Sequence, residues 1–134
     1  SFAYQIARIE NELQNSTIEV GNLSAQRNFT HVVDMVKAYT LAMDKGKDGE
    51  LYLISSNMIF TIKQVLEKLI SFSTNKKITY KIVQSRVRPT ELNYLVADCQ
   101  KFINLTNWKI EKNMDNILED TLNYWRTFIK NKLY

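Results

Sequence analysis

The segment RVRPTE at residues 86–91 carries the side chains best suited to bind a ligand. An arginine guanidinium presents a planar fork to two phosphate oxygens, and Pro89 fixes the backbone that presents Arg88. The carboxylate of Glu91 can accept hydrogen bonds from the two hydroxyls of a ribose. These groups could together bind a phosphate and a ribose. From the chemistry of the residues alone, a solvated turn with a weak Arg–Glu ion pair is the favoured interpretation.

Two further residues are candidates for a site. Arg27 lies in the segment QRNFT (residues 26–30), between a polar loop and a helix, and its guanidinium could reach the same anion. A surface charge is the alternative for an isolated arginine there. His31 is the single histidine. Because no partner acid, thiol or serine can be identified for it, we predict that it caps a helix or lies at the surface.

The sequence lacks the residues that a cofactor or metal site requires. A dinucleotide needs a glycine-rich turn between a strand and a helix, and the only glycines are Gly21, Gly46 and Gly49. No Tyr-x-x-x-Lys pair is present for proton transfer. One histidine and one cysteine cannot form a closed zinc shell. The residues alone therefore predict a domain with no catalytic residues, no bound cofactor and no metal.

Composition narrows the class of protein. Hydrophobic residues make up 45% and charged residues 24%, as in globular domains. The net charge of +4 suits an anionic ligand, but the basic residues are dense only over residues 76–88, so we expect no nucleic-acid partner. The apolar runs are too short to span a membrane, and Cys99 alone forms no intramolecular disulfide. These features predict a cytoplasmic location and no membrane partner.

Helices and strands alternate along the chain, which predicts an α/β fold with four or five helices around a small mixed sheet. The first helix is expected at residues 1–13, with strands at 17–21, 27–30, 51–54 and 78–83. Further helices are expected from Val32 to Gly46, from Thr61, from Asp98 and from Asn113 or Asp115. Apolar stripes at helical spacing mark the second helix (Val32, Val36, Tyr39, Met43) and the last one (Met114, Leu118, Thr121, Trp125, Phe128).

Several segments together resemble one family in order and spacing. They are SFAYQIARIE, VGNLSAQRNFTHVVDMVKAY, ELYLISSN, RPTELNYLVAD and the closing LTNWKI and LEDTLNYWR. The family is the extended short-chain dehydrogenases acting on nucleotide sugars, and within it the enzymes of GDP-sugars. The likeness runs from Ser1 to about Phe128. It implies the substrate-binding part of an NADP-dependent dehydratase of the GDP-mannose 4,6-dehydratase type. A GDP-4-keto-6-deoxymannose reductase, a related epimerase, or a non-catalytic nucleotide- or anion-binding module are the alternatives.

The resemblance also implies roles for particular residues. Arg27 matches an arginine that contacts the diphosphate, and Arg88 and Glu91 match a loop that contacts the diphosphate and ribose. Asn22 matches a position that lines the nucleotide pocket, and Trp108 matches a core tryptophan. Two departures stand out. Tyr4-Gln5 replaces an Arg-Gln pair of the reductases, and Arg27-Asn28 replaces the family's Arg-Asp, which removes one carboxylate near the substrate.

In full-length members of this family an N-terminal Rossmann domain holds NADP, and a smaller C-terminal domain holds the substrate nucleotide. The resemblance therefore implies that residues 1–134 are the C-terminal, nucleotide-sugar-binding domain, with the catalytic residues upstream of Ser1. We expect the first helix and the strand at 51–54 to pack on that Rossmann half. Taken alone, the chain is expected to be inactive. It should expose apolar surface, and either form a homo-oligomer through that surface or rearrange locally around residues 1–13.

Overall fold

The computed structural model describes residues 1–87 and 92–132. Within them the chain alternates helices and short strands, as the pattern predicts. The helices are α1 (Phe2–Glu10), α2 (Val32–Lys45), α3 (Ile62–Ser71), α4 (Gln100–Thr106) and α5 (Met114–Lys132). The strands are β1 (Thr17–Val20), β2 (Gln26–Asn28), β3 (Ile59–Thr61), β4 (Thr79–Ile82) and β5 (Tyr94–Leu95), with a 3-10 turn at Gln84–Arg86.

The main core lies between α1, α3, α5 and β1. Ala3, Ile6 and Ala7 on α1 are almost fully buried and belong to the same apolar cluster as Leu66 on α3 and Leu122 on α5. The prediction that α1 packs on a preceding Rossmann half is therefore wrong for the face that carries Ala3, Ile6 and Ala7. The apolar stripes of α3 and α5 already cover it, and burial of such stripes against each other is the main stabilising contribution to these helices.

The buried face of α5 is not quite the one that the sequence predicts. Leu122 is fully buried and Ile129 nearly so, whereas Thr121 is exposed. Trp125 and Phe128 are half-buried beside them. The start of the helix agrees with the prediction, because Asn113 and Asn116 each accept a hydrogen bond from the other's backbone N–H at 3.0 Å. No helix of the described residues is both long and apolar enough to cross a membrane.

Two small sheets lie beside this core. β1 pairs with β4 in parallel, and β2 lies between β3, which is antiparallel to it, and β5, which is parallel. The sheets together are mixed, as expected. β4 was predicted as half-buried, but all four of its residues are exposed. It lies at the edge of a two-stranded sheet, so only one side of the strand is covered.

Residues 51–54 do not form a strand, contrary to the prediction. Their side chains do alternate, since Leu51 and Leu53 are 77% and 50% exposed while Tyr52 and Ile54 pack on Ala38 and its neighbours. A strand also requires a hydrogen-bonded neighbour. No strand of the described residues lies alongside this segment.

The apolar stripe that predicted α2 faces outward. The helix ends at Gly46 as predicted, but Val32, Val36, Tyr39 and Met43 are 69%, 56%, 57% and 90% exposed. We call these four residues the α2 stripe. The buried face of α2 instead carries Ala38 and the small acid Asp34, whose carboxylate accepts hydrogen bonds from the backbone N–H groups of residues 111 and 112. Exposed apolar surface was predicted on the first helix and on residues 51–54. Leu51 and Leu53 are exposed, but the corresponding surface of α1 is buried, and the α2 stripe is exposed instead.

Candidate nucleotide-binding site

Arg27 lies at the end of the predicted nucleotide loop. It is in β2, where it is paired with Phe60 of β3 and Leu95 of β5. Its guanidinium donates to the backbone carbonyls of Gln26 and Leu92, both at 2.7 Å. Leu92 directly follows residues 88–91. The three-stranded sheet thus brings Arg27 to Leu92. The other predicted binding residues, Arg88 and Glu91, lie outside the described residues.

The other end of the loop is fixed by close packing at Gly21. A Cβ atom at this position would lie 2.2 Å from the carbonyl oxygen of Arg86, so only glycine lets the two backbones approach. Glu19 adds two ion pairs nearby, with Lys81 at 3.3 Å and Arg86 at 3.5 Å. These contacts hold the chain in place immediately before Val87 and the loop.

A groove of about 660 Å³ opens between the end of β1, the start of α3 and the side chains of β4. We call it the β1–α3 groove; it is lined by residues 21–24, Thr61, Lys63, Tyr80, Ile82 and Val87. Asn22 lines it. Its side-chain oxygen accepts hydrogen bonds from the backbone N–H and hydroxyl of Ser24 at 2.9 and 2.8 Å, which closes a tight turn. That Asn22 contacts a ligand stays a prediction.

Asn28 uses both ends of its amide inside the protein. Its Nδ2 donates to the carbonyl of Ser56 at 2.6 Å, and its Oδ1 accepts from the backbone N–H of Ala97 at 2.8 Å. An ionised aspartate could only accept. The amide therefore joins the segment after residue 54 to the segment after β5. This accounts for an asparagine at the position where the resemblance implies a carboxylate.

His31 and Trp108 have structural roles. The Nδ1 atom of His31 accepts from the backbone N–H of Val33 at 3.1 Å and caps α2. This leaves the proton on Nε2, which lies 3.0 Å from the carboxylate of Asp120. Trp108 is buried and donates to the carbonyl of Asp34 at 3.1 Å. The predicted cap for the histidine and the core position for the tryptophan are confirmed. The statement that His31 has no partner acid is wrong, because the partner, Asp120, lies 89 residues away in the sequence.

The residues of the chain do not fit a dinucleotide cofactor. Gly21 joins β1 to β2, Gly46 ends α2, and Gly49 lies in a turn with φ of +75°. None of them connects a strand to a following helix, which is the place where a pyrophosphate approaches the backbone. Within the described ranges there is also no group of three or more metal-ligating side chains close enough to hold an ion.

The sequence profile of the family described as GDP-mannose 4,6 dehydratase matches residues 1–121. The chain belongs to this family. GDP-6-deoxy-D-mannose reductase of Pseudomonas aeruginosa is 28% identical over 132 residues, which cover 97% of this chain and 42% of the reductase. GDP-mannose 4,6 dehydratase of Cricetulus griseus is 24% identical over 125 residues, covering 80% of this chain and 33% of that enzyme. The chain thus spans less than half the length of these relatives.

A solved structure shares the fold. The structure of RMD from Pseudomonas aeruginosa complexed with NADPH superposes with a TM-score of 0.83 and 28% identity, over 95% of this chain and 41% of that one. The resemblance inferred from the motifs and the α/β class are both confirmed. Structurally, the chain corresponds to part of a short-chain dehydrogenase-type enzyme.

The departure at Tyr4-Gln5 has a physical explanation. The side-chain amide of Gln5 binds the backbone of Glu19 twice, donating to its carbonyl at 3.0 Å and accepting from its N–H at 2.9 Å. Tyr4, where the reductases carry arginine, packs edge-on against Trp125 with ring centroids 4.9 Å apart. Gln5 thus binds the backbone of strand β1. At position 4, an aromatic contact with Trp125 takes the place of the arginine that the resemblance implies for the reductases.

Sequence reasoning missed two residues that line the groove. The sequence pattern predicts that Lys63 lies on the exposed face of an amphipathic helix. It predicts that Tyr80 belongs to a half-buried strand. Only the pairing of β4 with β1 brings Tyr80 beside the start of α3. No local pattern in the sequence contains that pairing, because it joins segments about 60 residues apart.

Proposed function

We propose that this chain is the part of a GDP-sugar dehydratase that binds the nucleotide of the substrate. The observation that carries the proposal is the position of Arg27, whose guanidinium binds the carbonyl of Leu92 directly after the segment 88–91. Family membership supports the identity of the nucleotide. The order of the segments in that family supports the roles predicted for Arg88 and Glu91.

In this proposal the diphosphate binds to arginines and the ribose to a carboxylate. Arg27 and Arg88 form charge-assisted hydrogen bonds to phosphate oxygens, and Glu91 accepts from the ribose hydroxyls. The backbone bonds of Arg27 hold its guanidinium in one orientation, which lowers the entropy lost when the anion binds. Binding far from the reacting carbon can still increase the rate, because it positions the sugar.

The reaction proposed is a 4,6-dehydration of GDP-mannose. The reductase of a 4-keto-6-deoxy GDP-sugar is the second candidate, because the Pseudomonas aeruginosa reductase is similar over more of this chain and at higher identity than the dehydratase. The replacement of the reductases' arginine by Tyr4 favours the dehydratase. NADP, which accepts and returns the hydride, is assigned to a preceding half of the protein, since the glycines of this chain do not fit it.

The partner proposed for the α2 stripe is that preceding half. The stripe exposes four large apolar side chains on one face of α2, and Leu51 and Leu53 are exposed as well. Exposed apolar patches of this kind mark interaction surfaces. The segment 51–54 already alternates like a strand and needs only a neighbour to become one. A preceding Rossmann domain with a free sheet edge would supply that neighbour. The cytoplasmic location stays a prediction.

The test compares nucleotide binding by the longer protein that carries this chain. We expect GDP to bind at least tenfold more tightly than guanosine in calorimetry, because the diphosphate supplies the charged hydrogen bonds. Arg27→Met and Arg88→Ala should each weaken GDP binding by about 2–3 kcal/mol and leave guanosine unchanged. Lys77→Met, which removes the same charge in the turn before β4, is the control. Equal binding of GDP and guanosine, or equal losses in the control, would contradict the proposal.

Turnover distinguishes the two reactions. With NADP and GDP-mannose, the longer protein should form a 4-keto product, and the 134-residue chain alone should form none. A protein that instead consumes NADPH with a 4-keto-6-deoxy GDP-sugar is the reductase. Saturable binding of NADPH to the 134-residue chain would show that the cofactor assignment is wrong.

A further inference from the structure

The imidazole of His31 connects the start of α2 to α5. Its Nδ1 atom accepts a hydrogen bond from the backbone N–H of Val33 at 3.1 Å, and its Nε2 atom lies 3.0 Å from the carboxylate of Asp120. The ring is buried, whereas 64% of the Asp120 side chain is exposed. One ring nitrogen therefore acts as an acceptor and the other as a donor, which is the arrangement of a neutral imidazole.

Protonation of His31 would change the role of Nδ1. A neutral imidazole has one acceptor nitrogen, and an imidazolium has none. The N–H of Val33 would then face a second donor, and a positive charge would lie at the N-terminal end of a helix, where the helix dipole disfavours a cation. At the same time the bond from Nε2 to Asp120 would become a charge-assisted ion pair and so strengthen. Protonation thus exchanges the contact with α2 for a stronger contact with α5.

The groups around the ring do not offset this exchange. The cavity of about 580 Å³ beside the ring is lined by His31 itself, Thr30, Val32, Val33, Ile117, Asp120, Thr121 and Tyr124. Of the described residues in this lining, only Asp120 and Tyr124 carry another titratable group, and a phenol hydroxyl has no charge at neutral or acidic pH. Asp34, the acidic residue in the first turn of α2, uses its carboxylate on the backbone N–H groups of residues 111 and 112.

The chain immediately before the imidazole is held by contacts that do not titrate. The hydroxyl of Ser56 donates to the carbonyl of Phe29, and the backbone N–H of Ser56 donates to the hydroxyl of Thr30 at 2.8 Å. Further along α2, Ala38 is fully buried in the second apolar cluster. Loss of the cap would therefore release the first turn of α2 and leave β2, with Arg27, in place.

We propose that His31 is a pH-sensitive cap of α2, which releases the first turn of the helix when it is protonated and stays bound to Asp120. Histidine is the residue whose charge ordinarily changes between about pH 5 and pH 8. The change is local, because the stronger ion pair offsets the lost cap in the stability of the whole protein. Val32 belongs to the α2 stripe, so acid should also loosen the end of the surface assigned to the preceding half. That consequence rests on the proposed function, whereas the cap does not.

NMR on the longer protein that carries this chain tests the proposal, at about pH 7.5 and about pH 5.5. Imidazole nitrogen shifts should place the proton of the neutral ring on Nε2 and show that the ring is charged at the lower pH. The amide protection factor of Val33, corrected for intrinsic exchange, should fall roughly fivefold with that charge, as for a lost N-cap. The amide of Gln64, capped by the hydroxyl of Thr61 at 3.1 Å, is the internal control and should keep its protection factor.

His31→Asn is the matched variant, because an asparagine oxygen can cap the same N–H and gains no charge in acid. Its Val33 protection factor should be the same at both pH values, and an equal fall in this variant would assign the effect to another group. A neutral ring with its proton on Nδ1 would exclude the cap. A ring that stays neutral at the lower pH, or that becomes charged without loss of Val33 protection, would overturn the proposal. These wild-type measurements decide it even if the variant does not fold, and they are independent of whether GDP binds.

Discussion

Glu10 and Arg126 form a bidentate ion pair between α1 and α5. The Nε and Nη2 atoms of Arg126 each lie 2.7 Å from a carboxylate oxygen of Glu10. Ser73 and the backbone N–H of Thr74 donate to the same carboxylate, and Arg126 also donates to the carbonyl of Phe72. The pair thus connects the first helix, the last helix and the turn after α3.

Removal of Arg126 should destabilise the fold in a pH-dependent way. Burial raises the pKa of the Glu10 carboxyl, but the hydrogen bonds from Arg126, Thr74 and Ser73 outweigh it, and the pKa lies below its ordinary value of 4.5. A depressed pKa in the folded state stabilises the protein above the ordinary pKa, and this is lost as pH falls through the folded-state value. We expect Arg126→Met to cost about 2 kcal/mol near pH 7, and less in acid, in urea unfolding.

The control for this prediction is an exposed ion pair of the same type. Lys37 pairs with Glu111, with side chains 46% and 61% exposed. Lys37→Met should cost less than about 1 kcal/mol. A loss in Arg126→Met that equals the control, or that does not change between neutral and acid pH, would contradict the assigned role of Glu10.

Asn28→Asp should destabilise the chain although it restores the residue that the family usually has. The carboxylate would lose the donor to Ser56 and face the carbonyl oxygen that this donor now binds. We expect a loss of about 1–2 kcal/mol in thermal unfolding, from an unpaired carbonyl and repulsion. Asn57→Asp, at an exposed position nearby, should be neutral. Equal stability of both variants would show that the amide donor is unimportant.

Gly21→Ala should affect both stability and binding. The new methyl group would collide with the Arg86 carbonyl, so the 3-10 turn must move and the loop with it. Overpacking of this kind costs about 1–3 kcal/mol, and GDP affinity should fall as well. Gly49→Ala, at a positive φ in open space, should cost about 1 kcal/mol and leave GDP binding unchanged. Wild-type GDP affinity in Gly21→Ala would show that the position of the 3-10 turn does not affect nucleotide binding.

The α2 stripe should cause the isolated chain to self-associate. Met43→Lys combined with Val36→Glu should yield a monomer in sedimentation velocity, without loss of stability, because both side chains are mostly exposed. In the longer protein the same changes should instead weaken the contact with the preceding half. Ile82→Lys, at an equally exposed site on β4, is the control. If Ile82→Lys prevents association and the α2 double variant does not, the chains associate through the edge of β4 and the prediction is wrong.

Local signals in the sequence were sufficient for several element boundaries, but α1 ends three residues earlier than predicted, and β3 and β5 were not predicted. Thr61 begins α3 with a reciprocal capping box to Gln64, and Gly46 ends α2, so both helices were predicted closely. Such signals act within a few residues of the helix end. The order of residues also predicts a binding segment at 86–91, but only the structure shows that Arg27 lies against Leu92, directly after it.

The direction in which each apolar stripe faces could not be predicted. The apolar residues of α2 and α5 have the same predicted spacing. Those of α2 are exposed, whereas α5 buries Leu122 in place of the predicted Thr121. Spacing establishes that a helix has an apolar face, while the neighbouring elements decide what covers it. For residues 51–54 the alternation is correct but the partner strand is not among the described residues.

The packing of α1 on α5 affects how the protein is made. On the ribosome α1 is synthesised well before α5, so the face of Ala3, Ile6 and Ala7 lacks the cover that α5 provides until residues 114–132 have been synthesised. Chaperones recognise apolar segments of this kind, and folding of this core must wait for α5 to leave the exit tunnel. A premature stop codon before residue 114 would therefore release a chain that cannot complete its core and is a substrate for proteolysis.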